Sequence, residues 1–123
     1  MLSPTIVTPR ETLEHIRRLA EQESARNSAR GAAMAAVVPD LARLLMRDFG
    51  VTRVVLFGSV ARGDVNERSD IDLAVEGLAD SDYFSALGAL GWVTPFDIDL
   101  VPVKDASPGM LDSILAEGIQ VAP

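Results

Sequence analysis

Apolar positions recur at helical spacing in the first part of the chain and at strand spacing in the second. Leu13, Ile16, Leu19 and Ala20 repeat at helical intervals with charged residues between them. Ahead of them Thr8 suits an N-cap, Pro9 the first helical turn, and Glu11 completes a capping box. Residues 21–30 are polar and weakly amphipathic, and either continue that helix or break it near Asn27. Pro39 interrupts the pattern, and Pro39-Asp40 opens a second helix with Leu41, Leu44, Leu45 and Phe49 as its apolar stripe. Gly50 is a natural stop for it. The organisation expected is an N-terminal helical extension, residues 1–38, followed by a compact domain, residues 39–123.

Residues 51–57 form a β-branched, apolar run that reads as a buried strand, ended by Gly58-Ser59. Residues 60–68 read as a short turn or helix and a loop. Residues 70–75 alternate polar and apolar, as a strand with one buried face does. A helix over 80–90 turns Tyr83, Phe84 and Leu87 inward, and residues 95–101 make a third strand. Ser107-Pro108 caps a last helix over 109–117, with Leu111, Ile114 and Leu115 on its apolar face. Gly118 ends it, and residues 119–121 are a small edge strand. This order predicts an α/β (α+β) fold: a small mixed sheet of three or four strands, with helices mainly on one face and an open face opposite.

At 123 residues the chain is the size of one domain, and 48% apolar composition is enough for one core. No apolar run reaches a membrane span, and the first ten residues lack the pattern of a signal peptide. With no Cys, disulfides and thiolate zinc sites are excluded, which fits a cytoplasmic protein. The net charge of −7 is uneven: residues 1–50 carry seven Arg against six acids, and residues 51–123 four basic residues against twelve acids. Such an acidic second part disfavours a nucleic-acid backbone and suits divalent cations, although plain solubility accounts for it equally well.

Candidate chemistry begins at Ser69-Asp70-Ile71-Asp72-Leu73. In a strand Asp70 and Asp72 share one face while Ile71, Leu73 and Val75 point to the core. Two carboxylates about 4 Å apart repel by roughly 4 kcal/mol at an effective dielectric of about 20. A divalent cation offsets that repulsion, since Mg²⁺ takes hard oxygen ligands; a solvated edge strand is the plain alternative. Phe96-Asp97-Ile98-Asp99-Leu100 repeats the pattern, with Asp97 and Asp99 on one face. Neighbouring strands would bring these acids into one cluster able to serve phosphoryl transfer with two metals. Gly58-Ser59, directly after the first strand, permits close backbone approach and offers donors to a phosphate, and Arg62 follows one turn later. Alone, a Gly-Ser pair there is an ordinary turn.

Taken together, Leu56-Phe57-Gly58-Ser59-Val60-Ala61-Arg62-Gly63-Asp64, then Ser69-Asp70-Ile71-Asp72-Leu73, then Asp99-Leu100-Val101, resemble the polymerase-beta-like nucleotidyltransferases, and most closely the minimal nucleotidyltransferases. The resemblance covers the chain from about Leu41 to its end. It implies that Gly58 and Ser59 bind the triphosphate of ATP, that Asp70 and Asp72 hold two Mg²⁺ ions, and that Asp99 is the third carboxylate. Asp99 is preferred to Asp97 because the family's pattern there is Asp-Leu-Val, although both acids share a face. Arg62 and Ser69 join the nucleotide-binding set, and Arg68 and Ser69 are placed to orient the metal carboxylates. His15 reads as an exposed helix residue, Lys104 as a loop cation, and Trp92 as core packing at a helix end.

Relatives of this kind are often antitoxins that adenylylate a Tyr of a HEPN ribonuclease toxin. The resemblance thus implies AMP transfer from ATP to a protein hydroxyl and a hetero-oligomer with a HEPN-type toxin, with no membrane or direct nucleic-acid partner. A non-catalytic toxin-binding module and transfer to a small molecule such as an aminoglycoside are the alternatives.

Overall fold

The computed structural model describes residues 9–122. Helix α1 runs unbroken over Pro9–Phe49, 41 residues, or about 60 Å at 1.5 Å per residue. The expected N-cap at Thr8 lies outside the described residues. The expected interruption at Pro39 does not occur. Pro39 is exposed, so water can satisfy the carbonyl it frees, and buried Met34, Val38, Leu41, Ala42 and Leu45 hold the helix on both sides of it. Packing overrides the local breaker. Only this second half of α1 reaches the core, and Leu13, Ile16 and Leu19 stay half exposed.

The remaining elements are β1 Arg53–Phe57, α2 Gly58–Arg62, β2 Ile71–Glu76, α3 Tyr83–Val93, β3 Ile98–Pro102, α4 Pro108–Glu117 and β4 Ile119–Ala122. Short 3₁₀ turns at Asp80–Asp82 and Val103–Asp105 lead into α3 and out of β3. The four strands lie in the order β3-β2-β1-β4. β1 pairs antiparallel with β2 and β4, and β2 pairs parallel with β3 across the α3 crossover. The mixed sheet and the β4 edge strand agree with the pattern of the sequence.

Alternation along the strands sorts the side chains between two faces. Val54, Leu56, Ile71, Leu73, Val75 and Leu100 meet α1 and α3 in the main core. Phe57, Ala74 and Val101 face the other way, onto Val55, Met110 and Ile114. The face expected to be open is therefore partly covered by α4, and the acids stand at the uncovered end. Ser107 caps α4 by accepting the Met110 N–H at 3.2 Å. Three outward residues differ from expectation: Phe84 (82% exposed), Trp92 (93%) and Leu115 (83%). In α3 the buried face is carried by Ala86 and Leu90, while Tyr83 donates its hydroxyl to the Leu100 carbonyl at 3.0 Å. No helix among the described residues is long and apolar enough to cross a membrane.

Candidate active site

The site is built where β1 runs into α2. Gly58 adopts φ 74°, and a Cβ placed there would come within 1.9 Å of Asp72 Oδ2. Only glycine lets the chain turn this tightly against that carboxylate. Gly63, at φ 81°, closes α2 by donating its N–H to the Ser59 carbonyl at 2.9 Å. These two turns fix Ser59 and Arg62 on a short helical turn at the end of the sheet.

The segment between α2 and β2 is tied down by its own polar groups. Ser69 Oγ accepts the Asn66 N–H at 2.9 Å, and Asn66 Oδ1 accepts the Arg68 N–H at 2.8 Å. Arg30, from α1, donates to the Asn66 carbonyl at 3.2 Å and the Ser69 carbonyl at 3.1 Å. Its guanidinium also lies 5.3 Å from the centroid of the Phe96 ring. Sequence reasoning missed Arg30, because a single Arg on a helix carries no signal of a contact 39 residues away. This clamp places Ser69 and Asp70 just before β2.

Register does the rest. Asp72 is the cross-strand partner of Asp99 on parallel β2 and β3, and of Phe57 on β1. Gly58, Ser59, Arg62, Ser69, Asp70, Asp72 and Asp99 all line one cleft of about 530 Å³. Asp97 does not line it. It precedes β3, where its carbonyl accepts the Ile71 N–H at 3.0 Å. The cleft's far wall is α4 and its cap, through Ser107, which the sequence marked only as a cap, and Ser113 and Glu117, which it gave no site role.

Electrostatics mark Asp72. Burial first, then the charges of Asp99 and Asp70, push its pKa up to about 6, with Arg62 pulling the other way and Glu117 adding to the rise. Arg62 donates to Glu117 at 2.7 Å and to Asp64 at 3.0 Å, so it is forked between two carboxylates at the cleft mouth. The donor set is hard oxygen, which fits Mg²⁺. Among the described residues no three acidic or imidazole side chains close into a ready-made cage.

Residues 40–122 match the family described as polymerase beta, nucleotidyltransferase. A segment of 33 residues, 27% of this chain, is 52% identical to a protein of Methanocaldococcus jannaschii named as a candidate protein adenylyltransferase, and it spans only 33% of that relative's length. A solved toxin–antitoxin with AMP-PNP is 27% identical at a TM-score of 0.59, over 68% of this chain and 72% of that one. A solved candidate minimal nucleotidyltransferase is 30% identical at a TM-score of 0.55, over 79% of this chain and 94% of that one. With glycine turn, serine and paired acids gathered on one cleft of the matched region, this chain belongs to the polymerase beta nucleotidyltransferase family.

Proposed function

We propose that the protein transfers AMP from ATP to a hydroxyl, that of a Tyr, on a cognate HEPN-type ribonuclease toxin, and so acts as its antitoxin in a hetero-oligomer. The observation that carries this reading is the gathering of Gly58, Ser59, Asp70, Asp72 and Asp99 on one cleft, with Asp72 titrating far above an ordinary carboxylate. A perturbed carboxylate facing two other acids in a cleft is what an active site holds and an inert sheet avoids. The solved toxin–antitoxin relative supports the choice of partner, and the relative named for protein adenylylation supports the reaction.

In this reading the backbone of Gly58 and the hydroxyl of Ser59 hold the triphosphate, and Arg62 turns from its carboxylates toward it. Asp70, Asp72 and Asp99 hold Mg²⁺, which when bound neutralises charge on the phosphates. Asp99 receives the proton of the acceptor hydroxyl as its oxygen bonds to the α-phosphorus. The bond from the α-phosphorus to the bridging oxygen breaks, and pyrophosphate leaves. The nucleotidyltransferase unit is residues 39–123 together with the preceding stretch of α1 that packs onto it through Arg30, Met34 and Val38, in a cytoplasmic protein. Incubation with α-labelled ATP and Mg²⁺, with and without a co-purifying toxin, tests the reading: label should pass to the toxin, and its absence there would refute it.

A further inference from the structure

Asp70 stands between two clefts. On one side is the cleft it shares with Asp72 and Asp99; on the other is a second, of about 430 Å³, lined by Asp70, Leu87, Gly91, Phe96, Asp97 and Ile98. The second has apolar walls and an acidic rim. Its α3 wall continues outward into Phe84, Gly88 and Trp92, which are four residues apart and so form one stripe along the helix. Phe84 is 82% and Trp92 93% exposed. Each such ring offers roughly 150–250 Å² of mainly apolar area, and among the described residues both stripe ends stay open to solvent, with the Tyr83 ring meeting Phe84 edge-on.

The two glycines sharpen the picture. Glycine inside a helix weakens it relative to alanine. Neither Gly88 nor Gly91 has a positive φ, and a Cβ at either would meet no atom within 4 Å. Nothing within the fold requires them. They leave a bare notch between the two aromatics where another backbone can lie close, at the lip of a cleft that opens onto Asp70.

We propose that this second cleft and the Phe84–Trp92 face of α3 dock the acceptor protein, through a segment that presents an aromatic hydroxyl flanked by basic residues. The inference rests on the nucleotidyl-transfer reading above and adds where its protein substrate sits. The apolar walls take the ring of the acceptor Tyr. Asp70, common to both clefts, is where its hydroxyl meets the nucleotide cleft. Asp97 at the rim, within residues 51–123 that carry four basic residues against twelve acids, selects Lys and Arg beside that Tyr. A second aromatic or aliphatic residue of the segment packs on Trp92 as an anchor of the interface.

Two probes test this with the full chain: AMP-PNP with Mg²⁺, followed by calorimetry, and a synthetic Tyr peptide flanked by Lys and Leu, followed with α-labelled ATP. A matched peptide carries Glu in place of Lys. Trp92→Ala and Gly91→Leu are the variants; both positions face open space, so both chains should fold. The expected result is a fall of at least about tenfold in kcat/KM for the Lys peptide in each variant, with AMP-PNP affinity unchanged, and poor labelling of the Glu peptide by the parent. Unchanged kcat/KM in both variants overturns the docking site. So does an equal loss of AMP-PNP affinity, which would seat the nucleotide's base in this cleft, and so does a parent that binds AMP-PNP but labels the Glu peptide as well as the Lys peptide or labels neither. A parent that binds no AMP-PNP overturns the underlying nucleotidyl-transfer reading instead.

Discussion

Gly58 and Asp72 approach so closely that a single methyl group at position 58 would sit 1.9 Å from the carboxylate oxygen Oδ2. The turn that presents Ser59 and the strand that presents Asp72 are therefore one structural unit. Gly58→Ala should disturb both, since it adds the cost of a left-handed backbone, about 1–2 kcal/mol, to the displacement of Asp72. We expect a lower melting temperature together with loss of AMP-PNP binding. Thermal melts and calorimetry on the variant check this, and a Gly58→Ala protein that binds AMP-PNP as the parent does would separate the two elements.

The raised pKa of Asp72 gives a pH dependence with a definite sign. In the folded chain the carboxyl titrates at about 6, against 3.8 ordinarily. Between those values the folded state holds a proton that the unfolded state has released, so stability falls as pH rises through the window and levels off above it. The part due to Asp72 should be about 1 kcal/mol, because solvent screening at a partly exposed carboxylate cuts the full shift. Asp72→Asn should flatten that part of the curve in EDTA. Affinity for Mg²⁺·AMP-PNP should rise across the same window, as the proton that competes with the cation leaves. Urea unfolding and calorimetry at pH 4 to 7.5 would show both trends.

Arg30 binds the segment before β2 to α1 through two carbonyls and the Phe96 ring. Arg30→Ala should destabilise the fold by about 1–2 kcal/mol, the range for hydrogen bonds from a charged donor at a partly exposed position. Nucleotide binding should weaken with it, since Ser69 and Asp70 follow directly. Arg30→Lys should recover little, because an ammonium cannot reach two carbonyls and stack on a ring at once. Chemical denaturation paired with AMP-PNP titration distinguishes the three chains.

Arg62 is engaged by Glu117 and Asp64 at the mouth of the cleft. A triphosphate must compete with those carboxylates for it. Glu117→Gln should therefore tighten AMP-PNP binding a few fold, both by freeing Arg62 and by removing one charge that raises the Asp72 pKa. Stability should change little, as expected of an ion pair near the surface. Weaker binding in calorimetry would assign Glu117 a supporting role instead.

Much of the site is written locally. Gly58-Ser59 after an apolar run, and Asp72 in an alternating strand with Asp70 just ahead of it, are short-range patterns, and the parallel register that sets Asp72 against Asp99 follows from a crossover helix between two strands. The relation of Asp97 to the cleft was not legible. Asp70 and Asp97 each stand one residue before their strands, yet only Asp70 lines the cleft with Asp72 and Asp99, a difference set by tertiary placement and not by the alternating pattern. The continuity of α1 through Pro39 was hidden for another reason: burial of Met34, Val38 and Leu41 against the sheet outweighs a local breaker. Arg30, Glu117 and the outward Trp92 depend on tertiary placement, to which a periodic pattern is blind.

The central claim is that the acids of the cleft serve nucleotidyl transfer and not the fold. Asp99→Ala should lose kcat, and Asp97→Ala should retain it at saturating acceptor. The most direct measurement is made on Asp72→Ala, with its melting temperature in EDTA and its rate of ATP-dependent labelling of the partner taken on the same preparation. Removing a carboxylate that Asp70 and Asp99 repel should leave the protein as stable as the parent or more so, with labelling abolished. Labelling at the parental rate, or a collapse of the fold that carries activity down with it, would contradict the account.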